Sequence, residues 1–199
     1  AIDGGKYVAG KNFTIISNGD LAGFVCENSN TITNCQTKYI GLNNTTSQNS
    51  SAKTAGFVCS NSGTIAFASV SGQLVESLFE NNNIDASKKV RALSINDDRL
   101  PVATNSDDLA ILQSKTNIAG FVFKNVGSGS MNDCYANIPM KTQARTSGFV
   151  FETASGTTIQ TSYTASYFDG LADKDDSAAH TPFIGTNELG EVLNESKSI

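Results

Sequence analysis

The chain has 199 residues, 17% of them charged, a formal net charge of -5, one histidine, 17 glycines and no tryptophan. It holds no Lys/Arg run to displace the counterions of a phosphate backbone, which argues against nucleic acid as a partner. No apolar run reaches the roughly 20 residues of a membrane-crossing helix, so helical membrane insertion is not expected, and the abundance of Asn, Ser, Thr and Gly favours turn-rich β structure.

In chain order, the sequence opens at Ala1 without an initiator Met and without the regions of a signal peptide, which reads as a processed mature form or a segment of something longer. "AGFVCENSNTITNC" at 22 to 35 is followed by "AGFVCSNSGTIAFA" at 55 to 68. Between them, "GLNNTTSQNSS" at 41 to 51 reads as an Asn-rich surface turn. The stretch 73 to 118 breaks the pattern: Leu74, Val75, Leu78 and Phe79 have the spacing of a short helix. Two apolar runs around Pro101 read as an irregular insertion or, preferably, as a degenerate rung. Looser copies follow as "AGFVF" at 119 to 123 and "SGFVF" at 147 to 151. "DGLADKDD", beginning at Asp169, predicts a polar loop, and 169 to 199 a tail or cap.

The aligned glycines Gly23, Gly56, Gly120 and Gly148 are 33, 64 and 28 residues apart, the second spacing being close to two periods. A period near thirty residues with two or three short strands per unit is the mark of a solenoid. We therefore expect one all-β domain over residues 1 to 199, a right-handed parallel β-helix of five or six rungs with a mid-chain insertion. Alternation along a strand predicts two ladders on one face, Phe24, Phe57, Phe121, Phe149 and Cys26, Cys59, Phe123, Phe151. Ile32, Ile65, Met131 and Ile159 form another, and Val25, Val58, Val122 and Val150 a stripe on the opposite face, expected to be covered by turns or by the segment between the second and third copies, the alternative being an exposed β-branched stripe. The glycine is expected where the coil turns sharply into a strand.

These residues carry a resemblance. "AGFVCENSNTITNC", "AGFVCSNSGTIAFA" and "NDCYA" at 132 to 136 resemble the GLUG motif, whose repeats read roughly Gly-Gly-Leu-Val-Gly, an Asn-containing turn, then Gly-Thr-Ile-x-Asn-Cys-Tyr-Ala. The chain departs from it in having Phe for Leu and Cys or Phe at the second small position. The resemblance covers about a third of the chain and implies an extracellular bacterial β-solenoid, of the kind found in IgA-protease-like and filamentous-haemagglutinin-like adhesins. No His-Glu-x-x-His signature accompanies it, so protease activity does not follow.

Candidate chemistry is sparse. His180 lies near no nucleophile motif, and no dinucleotide fingerprint or Walker loop occurs, so no catalytic or cofactor-binding residue is assigned. Cys26, Cys35, Cys59 and Cys134 lack zinc-site spacing. Cys26 and Cys59 are expected one above the other in the core, free or bridged, and Cys35 and Cys134 at matching places in non-adjacent rungs. Asp97, Asp98, Asp107, Asp108, Asp169, Asp173, Asp175 and Asp176 are solvated charge or, less simply, a calcium site or a glycosidase pair; "DGLADKDD" fails the EF-hand pattern. No metal site is assigned. An ice-binding array is excluded, because Thr33 is matched by Ala66, Asn132 and Gln160.

The expected function is non-enzymatic: a secreted or surface-displayed module acting as adhesin, stalk or structural segment of a larger bacterial protein, its partners a host receptor, a glycan or other domains. Two alternatives stay open, a carbohydrate-active β-helix enzyme and a self-associating fibre subunit joined through open ends or the valine stripe.

Overall fold

The computed structural model describes residues 1–8, 14–38, 41–47, 50–72, 112–142, 144–164, 166, 168–170, 180–181, 183–187, 191–192 and 197–198. All regular structure among them is strand, five short strands to each turn of a coil. The first turn holds β1 (Ile2–Asp3), β2 (Lys6–Val8), β3 (Thr14–Ser17), β4 (Leu21–Ala22) and β5 (Val25–Asn28). The second holds β6 (Thr31–Thr33), β7 (Gln36–Lys38), β8 (Gly41–Asn44), β9 (Thr54–Ala55) and β10 (Val58–Asn61). The third holds β11 (Thr64–Ala66), β12 (Ser69–Ser71), β13 (Leu112–Ser114), β14 (Ile118–Ala119) and β15 (Val122–Asn125). The fourth holds β16 (Ser130–Asn132), β17 (Tyr135–Asn137), β18 (Met140–Thr142), β19 (Thr146–Ser147) and β20 (Val150–Thr153). The fifth holds β21 (Thr158–Gln160), β22 (Tyr163–Thr164), β23 (Phe168–Gly170), β24 (His180–Thr181) and β25 (Ile184–Asn187), and β26 (Glu191–Val192) and β27 (Lys197–Ser198) begin a sixth.

Each strand from β1 to β22 pairs in parallel with the strand five places further on, which gives five parallel sheets. No single turn can bury its own apolar side chains; each does so against the turns above and below it. Like residues therefore stack. Phe24, Phe57, Phe121, Phe149 and Phe183 form a continuous column of near-parallel rings with centroids 4.8 to 4.9 Å apart. Ile32, Ile65, Met131 and Ile159 pair in register and are buried. Asn28 Nδ2 donates to Asn61 Oδ1 at 2.7 Å and Asn61 Nδ2 to Asn125 Oδ1 at 2.8 Å, so each buried amide is satisfied by the next.

Several expectations are corrected. The 64-residue glycine spacing is one turn, because β10 pairs directly with β15, Val58 opposite Val122, leaving no place for a degenerate rung. The extra chain leaves after β12 and returns at β13, and Leu112 to Ala119 belong to the regular coil. The helix expected over Leu74 to Phe79 lies outside the described residues. The region from Asp169 onward is not only a tail, since β23 to β27 extend the sheets and Phe183 extends the ring column. The Asn-rich turn is partly strand: Leu42 is in the core, and buried Asn44 donates to Gly19 O at 2.8 Å and Thr54 Oγ1 at 2.9 Å.

The valine stripe is the largest correction. Val58, Val122 and Val150 are fully buried in the same cluster as Phe57, Phe121 and Phe149. The cause is a bulge at every Gly-Phe bend. The N–H groups of Phe57 and Val58 both donate to Phe121 O, at 2.9 and 3.0 Å, and those of Phe121 and Val122 both donate to Phe149 O. Two successive side chains thus turn inward at each bend. The next residues form a separate cluster with the preceding alanines: Cys59, Phe123 and Phe151 against Ala55 and Ala119, on the outer side of the bend. Cys26, expected in the core, is exposed.

Nor does the glycine serve a positive φ. A Cβ on Gly23, Gly56 or Gly120 would lie 2.0 Å from the carbonyl oxygen of the next turn's glycine, so the residue is required by the close approach of stacked backbones.

Candidate functional site

The bend between the β6 and β7 types of strand is built from a column of left-handed residues: Asn34 (φ 54), Phe67 (φ 52), Asp133 (φ 52) and Thr161 (φ 49), with Gly4 (φ 69) in the first turn. Asn and Asp tolerate this backbone because their short side chains bond locally. A bulky residue there is strained, by roughly 1–3 kcal/mol. Phe67 is 57% exposed, so burial of its ring offsets that cost only in part.

Polar groups flank the ring in the column. One turn below, Asn34 Nδ2 and Thr33 Oγ1 donate to Asp3 Oδ1 at 2.9 and 3.0 Å, and these bonds, Asn34 first, hold the Asp3 carboxyl below its ordinary range. One turn above, Asn132 Nδ2 donates to Asp133 Oδ2 at 2.7 Å. Beyond the bend, Tyr135 and Tyr163 stack at 5.4 Å on the outward side of β17 and β22, and burial followed by the neighbouring Tyr135 raises the Tyr163 phenol. An exposed ring, amides, a carboxylate and phenols spaced by the turn repeat are suited to stacking on and hydrogen-bonding to a sugar.

A second concavity, about 290 Å³, lies on the β8, β13 and β18 sheet, where Asn43, Gln113, Lys115 and Lys141 line it. The register puts Asn43, Gln113 and Lys141 in one outward row.

Of the residues considered for chemistry, Asp97, Asp98, Asp107, Asp108, Asp173, Asp175 and Asp176 lie outside the described residues. Asp169 is in β23 opposite Lys141, and His180 in β24 opposite Thr146, by backbone register. Among the described residues no three His, Cys, Asp or Glu side chains stand close enough to hold a metal ion. Cys35 and Cys134 occupy matching places in turns two and four, and their thiols donate to Thr33 O at 3.0 Å and Asn132 O at 3.2 Å. Burial pushes the Cys134 thiol up to about 12. Sequence reasoning missed Phe67, although the alignment of Asn34, Phe67, Asp133 and Thr161 sets one aromatic among turn-formers.

A coil of five parallel strands per turn, filled by ladders of like residues and with its uncommitted polar and aromatic groups outside, is a parallel β-solenoid. Compared with family models, curated proteins and solved structures, the chain matches none.

Proposed function

We propose that this chain is a binding module of a secreted or surface-displayed bacterial protein, an adhesin-like or stalk segment whose outer corner around Phe67 engages a glycan. The observation that carries this reading is Phe67 itself, a bulky, largely exposed ring in a left-handed backbone whose column neighbours are Asn34 and Asp133. Local conformation disfavours Phe there and partial burial offsets this only in part, which supports contact with something outside the chain as its use. The rigid coil holds the ring and flanking amides in place without further ordering on binding.

The test is Phe67→Asn. Asn is the residue the backbone prefers, so the variant is expected to be more stable by about 1 kcal/mol and to lose binding at least tenfold on a glycan array. A stabilised variant with unchanged binding would sink the reading.

A further inference from the structure

Cys26 and Cys59 stand side by side on neighbouring strands. β5 and β10 pair in parallel with Val25 opposite Val58 and Glu27 opposite Ser60, which sets Cys26 opposite Cys59. Such strands lie about 4.8 Å apart, within the roughly 4.4–6.8 Å between α-carbons that a disulfide spans. Their surroundings repeat from one turn to the next. Cys26 Sγ donates to Asp20 O at 3.9 Å and Cys59 Sγ to Lys53 O at 3.5 Å. Asp20 and Lys53 are themselves tied: Lys53 N–H donates to Asp20 Oδ1 at 2.8 Å, and the side chains form an ion pair at 3.1 Å. The two thiols therefore leave the sheet in the same direction, each toward the backbone carbonyl six residues before it.

The pair is also asymmetric, with Cys26 exposed and Cys59 buried. In the third and fourth turns the same column holds the stacked rings of Phe123 and Phe151. Cys35 and Cys134 have no such partner in each other, because Ala68 occupies the turn between them.

We propose that Cys26 and Cys59 are a modification site, a thiol pair that closes an inter-turn disulfide by exchange with a low-molecular-weight disulfide such as oxidised glutathione. The exposed Cys26, as thiolate, attacks one sulfur of that disulfide. A Cys26–glutathione bond forms, the glutathione S–S bond breaks, and the departing thiolate takes up the proton that Cys26 released. Cys59 then gives its proton to solvent base and attacks Cys26 Sγ, expelling the second glutathione. Two electrons pass from the protein thiols to the reagent, which leaves as two reduced glutathiones. Burial raises the Cys59 thiol, so this closing step is the slower one and quickens with pH. The bond ties the first turn to the second.

The test incubates the whole chain with oxidised glutathione, followed by acid quench, intact mass and peptide mapping. The expected product has lost two hydrogens, carries a Cys26–Cys59 cross-linked peptide, and leaves Cys35 and Cys134 as thiols. It melts several degrees above the reduced form. Cys59→Ala is expected to stop at one glutathione on Cys26, and Cys26→Ser, an exposed substitution, to stay unmodified. A stable glutathione adduct on the unsubstituted chain, a Cys26–Cys26 dimer, or a chain that stays fully reduced would each overturn the proposal. A cross-linked form that melts no higher than the reduced one would overturn its stapling role.

Discussion

With the carbonyl oxygen of Gly120 standing 2.0 Å from where a Cβ on Gly56 would be, a single methyl group there meets backbone and not a movable side chain. Relief requires the two turns to separate along their hydrogen bonds, including Gly56 N–H to Ala119 O at 3.0 Å. Gly56→Ala is therefore expected to destabilise the chain by at least about 3 kcal/mol, read from urea unfolding; a loss below 1 kcal/mol would mean the coil stretches freely. A buried thiol gives a second prediction at this scale. Because burial raises Cys134 to about 12 from an ordinary 9.0, the unfolded chain ionises first. Stability attached to this group is whole below pH 9.0 and falls as pH rises toward about 12, by about 1.4 kcal/mol per unit. Unfolding free energies should decline above pH 9.0, and Cys134→Ala should make that decline shallower. An unchanged slope would show that other groups govern it.

At the level of the strands, the units of stability are columns. The phenylalanine column is continuous through five rings, with Phe121 at its centre, fully buried between Phe57 and Phe149. Removing a central ring leaves a void bounded by two rings on a rigid coil that collapses poorly. Phe121→Ala should cost about 3–5 kcal/mol, and Phe24→Ala, on a ring stacked in the column from one side and only partly buried, about half as much. Equal losses at both positions, measured by thermal unfolding, would contradict a nearest-neighbour stack. The asparagine column works differently: Asn61 both accepts from Asn28 and donates to Asn125, so its value lies in satisfying two neighbours in a dry place.

At the scale of the molecule, the third turn has the same strand register as its neighbours despite the chain between Gly72 and Leu112. β7 and β8 are joined by residues 39 and 40, and β17 and β18 by residues 138 and 139. Deleting residues 73–110 would leave Gly72 and Ile111 as a link of the same length. The shortened chain is expected to keep its β circular dichroism and to gain up to about 2 kcal/mol from the smaller loop. Loss of cooperative unfolding would show that the excised stretch supplies part of the core.

The sequence by itself determined the repeat, the parallel stacking and the four-membered Phe and Ile/Met columns, because identical short segments at a common period can satisfy their backbones and bury their rings only on one another. Phe24, Phe57, Phe121 and Phe149 were legible for that reason, as were the matching places of Cys35 and Cys134. Phe183 was not, since Pro182 stands where the other copies have glycine. Only the tertiary structure decided which way each column faces. Parity is inherited along an unbroken strand, and the shared carbonyl at each Gly-Phe bend breaks it, turning Val58 inward and Cys59 outward. It also decided that the 64 residues between Gly56 and Gly120 make one turn, because a period counts residues whereas a turn is defined by pairing. The exposure of Phe67 and the left-handed backbone beneath it belong to the same class: the sequence shows an aromatic in a turn position, and only the stacked bend shows that its ring stands in solvent.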